Sequence, residues 1–321
     1  MKVTVVMTTY NHERFISQSI ASALDQDVTF DYEIVVIEDC STDQTRGILL
    51  RLRDRHPERL RLVLPPRNCN DSRNFAQVIE TSESPYIAWL EGDDYWTSPR
   101  KLQRQVEFLD AHPDYSACFH NASMVWENEQ RPPADMNPPD QRDIATVEDM
   151  LPRNVIATCS VMFRRGLFGR FPEWYFELPF GDWPVHILNV ERGPIGYLPD
   201  VMGAWRIHAD GLWSRRSEAD RLAAVIGFYE RMNVNLGLRY DRLFRAQIAR
   251  RLHTLASEHM SRGEFDDARK CAWRLLSAPG PDRAVARGSA ARLLLEAAVR
   301  ARLARLPRLR LALRRLRGRG R

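Results

Sequence analysis

No apolar stretch in this sequence approaches the roughly 18 residues that a membrane-spanning helix needs. A soluble or peripheral protein is therefore expected. Cysteine is scarce: Cys40, Cys69, Cys118, Cys159 and Cys271 are five, widely spaced and without a Cys-x-x-Cys pair. Neither a disulfide framework nor a thiolate metal site is expected from them, and a reduced cytoplasmic setting is the simpler expectation. An amino-terminal signal is not visible either, because Met1-Lys2 leads straight into a strand-like run. Acid is missing from the far end. Ten arginines lie from Arg300 to Arg321, with no Asp or Glu among them. The whole chain carries +5, so without those ten charges residues 1–299 carry −5. The basic character thus belongs to the tail, not to the remainder. That tail also lacks aromatic residues and offers no stacking platform, so no specific nucleic-acid partner is expected. Its mix of Leu and Arg over 300–321 predicts peripheral contact with an anionic membrane on its inner face. A frayed basic terminus is the alternative, since Pro307, Gly318 and Gly320 interrupt it.

What is present is an alternation of strand and helix signals. At 321 residues the chain can bury a sizeable core. Val3-Thr4-Val5-Val6-Met7, Glu33-Ile34-Val35-Val36-Ile37 and Leu60-Arg61-Leu62-Val63-Leu64 read as strands. Between them, Phe15, Ile16, Ile20, Ala23 and Leu24 recur at helical spacing. Helices are expected at about 72–83 and at 101–111, the latter with Pro99 near its start. Later strands are expected at Cys159-Ser160-Val161-Met162-Phe163, at 195–198 and at 201–207, the last two framing a turn at Pro199-Asp200. Residues 127–143 read as a surface loop. The pattern predicts an α/β fold with a mostly parallel sheet and helices on both faces, followed by a C-terminal α-helical extension. Boundaries are expected at 1–215 for the α/β domain, 216–299 for the helical extension and 300–321 for the basic Arg/Leu tail. Within the extension, 249–279 resembles one tetratricopeptide-type hairpin.

The most informative block is Trp89-Leu90-Glu91-Gly92-Asp93-Asp94-Tyr95-Trp96. An apolar run, Tyr86 to Leu90, ends in three carboxylates within four residues. Unpartnered buried charges are unfavourable, and a hard divalent cation that also accepts phosphate oxygens is a suitable partner. An exposed Gly-Asp-Asp turn is the plainer alternative. Three other segments also fall at strand ends or adjoining loops: Thr8-Thr9-Tyr10-Asn11, Glu38 to Asp43, and Gly181-Asp182-Trp183. In a parallel sheet one crevice collects such ends. Each has a plainer reading too. Asp182 suits a helix cap, His208 suits a structural histidine, and Tyr10 suits an ordinary aromatic position.

Together these motifs resemble the large inverting family 2 glycosyltransferases of the GT-A fold. The resemblance covers roughly residues 1–215. Thr8-Thr9-Tyr10-Asn11 matches that family's opening loop, Glu38 to Thr45 its Asp-Asp-Gly-Ser-x-Asp-x-Thr motif, and Glu91 to Asp94 its metal-binding Asp-x-Asp region. Cys159 to Met162, Gly181-Asp182-Trp183 and Trp205-Arg206-Ile207-His208 follow the same order. The resemblance implies transfer of a sugar from a nucleotide-diphosphate donor, expected to be a uridine one, to a hydroxyl of a glycan or lipid-linked acceptor. A divalent metal, Mn²⁺ or Mg²⁺, is implied as cofactor. Tyr10 would stack on the base, Asp39 would accept its N–H, and Thr8 would help hold the nucleotide. Arg73 would touch the diphosphate. Asp93 and Asp94 would bind ribose and metal, with either as the direct metal ligand, and His208 would complete the metal site or touch the diphosphate. Asp182 would be the catalytic base, and Trp183 beside it would offer an apolar face to an acceptor sugar.

Two positions depart from the family pattern. Glu38 stands where an aspartate is usual and keeps the charge. Cys40 stands where glycine is usual, which predicts a turn that avoids the left-handed conformation. Two other functions compete: a sugar nucleotidyltransferase and a non-catalytic nucleotide- or glycan-binding homologue. Thr8 to Arg14 contains no glycine for a triphosphate loop, which disfavours the first. Carboxylates retained at the reacting positions disfavour the second.

Overall fold

The computed structural model describes residues 1–68, 72–127, 131–277 and 283–304. It divides into two compact units, Met1–Ser214 and Arg215–Arg321. Cys69, Pro279 and the tail from residue 305 onward lie outside the described residues, and with that tail most of the segment expected to meet a membrane.

The first unit opens with β1 (Val3–Thr9), α1 (Ile16–Leu24), β2 (Tyr32–Glu38), α2 (Thr45–Arg55), β3 (Leu60–Val63), α3 (Arg73–Thr81) and β4 (Tyr86–Glu91). The β-branched runs of β1 and β2 suit a pleated surface, where such side chains pack with little loss of rotamer freedom. These four strands pair in parallel in the order β3-β2-β1-β4. Side chains alternate across the pleat. Val3, Val5 and Met7 share one buried core with Ile34 and Val36 of β2, and with Ile16, Ile20 and Leu49 of α1 and α2. On the opposite face Phe75 of α3 stacks on Trp89 of β4, ring centres 3.9 Å apart. Such a pair contributes about 1 kcal/mol beyond its buried area. Helices therefore cover both faces.

The unit continues through β5 (Tyr95–Trp96), α4 (Lys101–Ala111), β6 (Ala117–Trp126), β7 (Ala134–Asp135), β8 (Ile144–Ala145), α5 (Val147–Met150), β9 (Val161–Arg164), α6 (Asp182–Val190) and β10 (Ile195–Ile207). Strand β9 inserts antiparallel between β4 and β6, β10 runs parallel to β6, and β5 pairs antiparallel with β10. The long ladders are thus mostly parallel, with β9 as the antiparallel insertion.

Three local expectations change. Strand β6 has no counterpart in the sequence reading, because His120-Asn121 interrupts its apolar run. Both are buried nonetheless, and Asn121 is satisfied by accepting the Asn137 N–H at 3.0 Å. The turn expected at Pro199-Asp200 is instead a register shift between Leu198 and Val201 inside a continuing β10. A bulge accommodates the proline, which cannot donate to the ladder. Thr158–Ser160 form a single 3-10 turn ahead of β9, so Cys159 and Ser160 are not part of the strand.

The second unit holds α7 (Glu218–Asn235), α8 (Asp241–Arg262), α9 (Phe265–Ser277) and α10 (Arg283–Ala304). Gly263, with φ 78°, caps α8 in the left-handed conformation and turns the chain into α9. Leu252, Leu255 and Ala256 of α8 pack with Cys271 and Ala272 of α9, Ile226 of α7 and Leu293 of α10. Among the described residues no helix is long and apolar enough to cross a membrane.

For the site the decisive feature is register. Thr9 of β1 lies opposite Glu38 of β2, and Thr8 lies opposite Glu91 of β4. The carboxyl ends of three parallel strands are therefore level.

Candidate active site

The loop after β1 is tied to the loop after β2 and the start of α2 by a network of hydrogen bonds. Asn11 Oδ1 accepts the Thr42 N–H at 2.8 Å, and the Asn11 N–H donates to Ser41 Oγ at 2.9 Å. His12 N–H donates to Thr45 Oγ1 at 2.8 Å, and Glu13 N–H to Asp43 Oδ2 at 3.0 Å. Asn11 adopts φ 56°, a conformation asparagine tolerates better than most residues. Tyr10, at the tip of this loop, is 40% exposed. Asp39 is anchored through its backbone, its N–H donating to Thr9 O at 3.0 Å and its carbonyl accepting from Asn68 Nδ2 at 2.9 Å.

Cys40, next to a buried Glu38, gives the first correction at the site. Glu38 is fully buried, pairs with the Arg46 guanidinium and accepts the Ser41 N–H at 2.5 Å. It fastens the loop from beneath. Cys40 adopts φ 60°, so the turn does enter the left-handed region that a side chain was expected to avoid. Such a residue persists where its surroundings over-determine it, at about 1–2 kcal/mol. The anchors are visible: Cys40 Sγ donates to Pro65 O at 3.0 Å, and Arg46 reaches the same sulfur at 3.5 Å.

At the exit of β4 the acids differ sharply in environment. Glu91 is held by the Thr8 hydroxyl. Burial pushes its carboxyl up to about 8, against that hydrogen bond, and the nearby charges of Asp93 and Asp182 push the same way. Asp93 accepts from His208 Nε2 at 3.0 Å and has His12 Nε2 at 3.6 Å. Burial pushes Asp93 up, but the two imidazoles outweigh it and its pKa is lowered. Asp94 is held well above the ordinary carboxylate range, by burial first and then by the charge of Asp93. Its Oδ1 accepts the Arg206 N–H at 2.8 Å. Thus Asp93, not Asp94, meets His208.

Arg206 clamps this turn. Its Nε donates to Asp93 O at 2.7 Å and its Nη2 to Gln18 Oε1 at 2.8 Å, while the guanidinium lies over Phe15 at 4.5 Å and Tyr95 at 5.1 Å. Gly92 explains why the turn can be so close to β1. A side chain there would meet Thr9 Oγ1 at 2.5 Å and His12 Nδ1 at 2.9 Å. Gly92→Ala is therefore expected to cost about 1–3 kcal/mol by overpacking. Urea unfolding checks this, and a variant as stable as the parent rejects the packing argument.

The last acid, Asp182, is the first residue of α6. Burial raises its pKa, opposed by backbone N–H groups and by Asn154. Asn154 Nδ2 donates to Asp182 Oδ2 at 2.7 Å. Before it, a side chain on Gly181 would strike Tyr175 Oη at 2.8 Å and Ser72 Oγ at 2.9 Å. Glycine there lets the start of α3 and the short 3-10 helix Glu173–Glu177 close around the acid. Arg73 belongs to the same corner, its guanidinium 4.6 Å over the Phe176 ring and 3.7 Å from Glu173.

Trp183 is a correction. It is 7% exposed and its Nε1 donates to Met150 O at 3.0 Å, so its ring is core and offers no face to an acceptor. The sequence reading also passed over His12, Asn154 and the clamp role of Arg206. His12 was signalled by its place immediately after Asn11, on a loop bound to end beside β4. Nothing in the sequence marked Asn154, whose partner lies 28 positions away.

The donor chemistry suits a divalent cation: one carboxylate, Asp93, beside two imidazoles. Among the described residues, however, no three His, Cys, Asp or Glu side chains converge into a ready-made metal site. Cations of the magnesium type commonly take only one or two protein ligands and complete their shell with substrate phosphates and water. The residues fit a cation held in that shared way.

Comparison with known proteins agrees with this frame. The profile described as Glycosyl transferase family 2 matches residues 4–171. An uncharacterized protein of Mycobacterium tuberculosis is 33% identical over 215 residues, 66% of this chain and 60% of that protein. The match thus spans somewhat less than two thirds of the length of that relative. The putative teichuronic acid biosynthesis glycosyltransferase TuaG of Bacillus subtilis is 28% identical over 170 residues, 52% of this chain and 64% of that protein. Among solved structures, Staphylococcus aureus TarS 1-349 in complex with UDP-GlcNAc superposes with a TM-score of 0.61 at 18% identity, over 95% of this chain and 92% of that one. The mannosyltransferase PcManGT of Pyrobaculum calidifontis, in complex with GDP-Man and Mn²⁺, gives 0.55 at 19% identity, over 94% and 86%. The structural likenesses show a common GT-A fold, and with the profile spanning residues 4–171 the chain belongs to glycosyl transferase family 2.

Proposed function

We propose that this chain is a metal-dependent inverting glycosyltransferase that moves a sugar from a nucleotide-diphosphate donor, a uridine one, to a hydroxyl of a glycan or lipid-linked acceptor. One observation carries the reading. A carboxylate of lowered pKa flanked by imidazoles, Asp93 with His208 and His12, sits at the strand ends with a separate half-buried acid, Asp182, whose charge is felt by Glu91. Those are the two functions the reaction needs, and they are on different residues.

Tyr10, exposed at the loop tip, is the ring for the base, with Thr8 and Asp39 at the adjoining strand ends for the nucleoside. Arg73 faces the diphosphate from the start of α3. Asp93 and His208 would hold the cation, with Asp94 behind them fixed to the Arg206 backbone. A bound divalent cation supplies charge neutralisation to the departing diphosphate. Asp182 takes the proton of the acceptor hydroxyl as that oxygen forms its bond to the anomeric carbon and the bond to diphosphate breaks. A single displacement inverts the anomeric configuration. Support for the donor class comes from the fold relatives, one with UDP-GlcNAc and one with GDP-Man and Mn²⁺.

The test is a panel of nucleotide sugars, each with Mn²⁺, with Mg²⁺ and with a chelator, read by nucleoside-diphosphate release and by thermal shift. Uridine donors are expected to raise Tm in the presence of metal, since a ligand that binds only the folded form stabilises it. A panel in which no donor shifts Tm or is turned over rejects the reading.

A further inference from the structure

The acid assigned as base does not stand alone. We infer that Asn154 is the positioning residue of Asp182, holding one carboxylate oxygen so that the other is aimed at the acceptor hydroxyl. The inference rests on the proposed role of Asp182 and deepens it.

The geometry is specific in three ways. First, Asn154 Nδ2 lies 2.7 Å from Asp182 Oδ2, a short distance for an amide donor and typical of a charged acceptor. Second, the amide cannot be read the other way round. Asn154 Oδ1 accepts the Ile156 N–H at 3.2 Å, which fixes the carbonyl on that side and turns the NH₂ toward Asp182. Third, the two residues come from separate elements. Asn154 stands in the connection between α5 and the 3-10 turn before β9, where Val155 and Ile156 are buried, while Asp182 opens α6. The contact thus joins Asp182 to a segment anchored in the core by Val155 and Ile156.

Chemically, an amide is a suitable partner for a general base. It donates a hydrogen bond but carries no proton that it can lose at working pH, so it orients the carboxylate without competing for the transferred proton. It also favours the ionised form. Burial raises the Asp182 pKa, and Asn154 opposes that rise alongside the backbone N–H groups of Trp183 and Asp182. A histidine or a second acid in the same place would itself titrate.

The test uses the full chain with ¹³Cγ-labelled aspartate, followed by NMR across pH. The Asp182 signal is assigned by its loss in Asp182→Asn. In Asn154→Ala the Asp182 midpoint is expected to move up by about one pH unit, the size of a hydrogen bond to a charged group. A second variant, Asn154→Asp, keeps the side-chain shape should the alanine variant unfold. It puts a carboxyl beside a carboxylate, and two such neighbours cannot both ionise readily, so the Asp182 midpoint should split or rise further. For whichever nucleotide sugar is turned over, the acid limb of the kcat profile should follow the same shift with donor KM unchanged. An Asp182 midpoint that stays put in a folded variant overturns the inference. Its failure is separable from failure of the base assignment: Asp182→Asn with full turnover removes the base, whereas an inactive Asp182→Asn with unmoved Asn154 variants removes only Asn154.

Discussion

Asp182→Asn is expected to slow transfer by about two to four orders of magnitude, the range that a positioned general base supplies. Donor affinity should stay within a few-fold. The substitution keeps the size of the side chain, and its amide oxygen can still accept from Asn154, so the start of α6 is held as before. What disappears is the basic oxygen. The pH dependence separates this from misfolding. In the parent, burial raises the Asp182 pKa, so protonation disables the base above the ordinary carboxylate range. Its rate should rise with pH through that raised value and level off once the acid is ionised. The variant has no such group, and its residual rate should lack the limb. Measurement of kcat and donor KM from acid to neutral pH decides it. Full turnover by the variant would remove Asp182 from the chemistry.

The frame of this domain was legible because its strands are apolar and β-branched on both faces. Buried parallel strands produce such runs, and β1, β2 and β4 each end where the run meets polar residues. Level ends follow from in-register parallel pairing, which is why motifs separated by 30 to 80 positions share one edge. The rest of the site escaped for physical reasons of a different kind. Strand β6 hides its burial behind His120 and Asn121, since hydrogen bonding can satisfy a polar side chain in a core. Cys40 adopts φ 60° because Pro65 and Arg46 hold its sulfur, and no local rule contains those partners. Trp183 looked like a platform beside the base, but an indole N–H that finds a buried carbonyl is a core group. Asn154 and His12 acquire meaning only from the acids they face. Backbone placement could be read from pattern, and side-chain partnership could not.

That limit bears on Asp93 and Asp94, which the sequence left interchangeable. Asp93→Asn is expected to abolish most Mn²⁺ binding and to lower kcat by about two to three orders of magnitude, the size of one lost electrostatic stabiliser at a developing charge. His12 and His208 hold its carboxyl below the ordinary carboxylate range, so of the two acids it is the one expected to meet a cation. Asp94 differs. Burial and the neighbouring charge favour its neutral form, and its Oδ1 is engaged by the Arg206 N–H. Asparagine resembles that neutral form and can still accept the same bond. Asp94→Asn should therefore bind Mn²⁺ within about tenfold of the parent, whereas Asp93→Asn should not, a gap of at least roughly 1.4 kcal/mol. Calorimetry with Mn²⁺ alone and with Mn²⁺ plus UDP gives the comparison free of any acceptor. Should Asp94→Asn be the variant that loses the ion, the cation belongs to Asp94, and the Asp93 carboxylate serves chiefly to anchor two imidazoles at the strand edge.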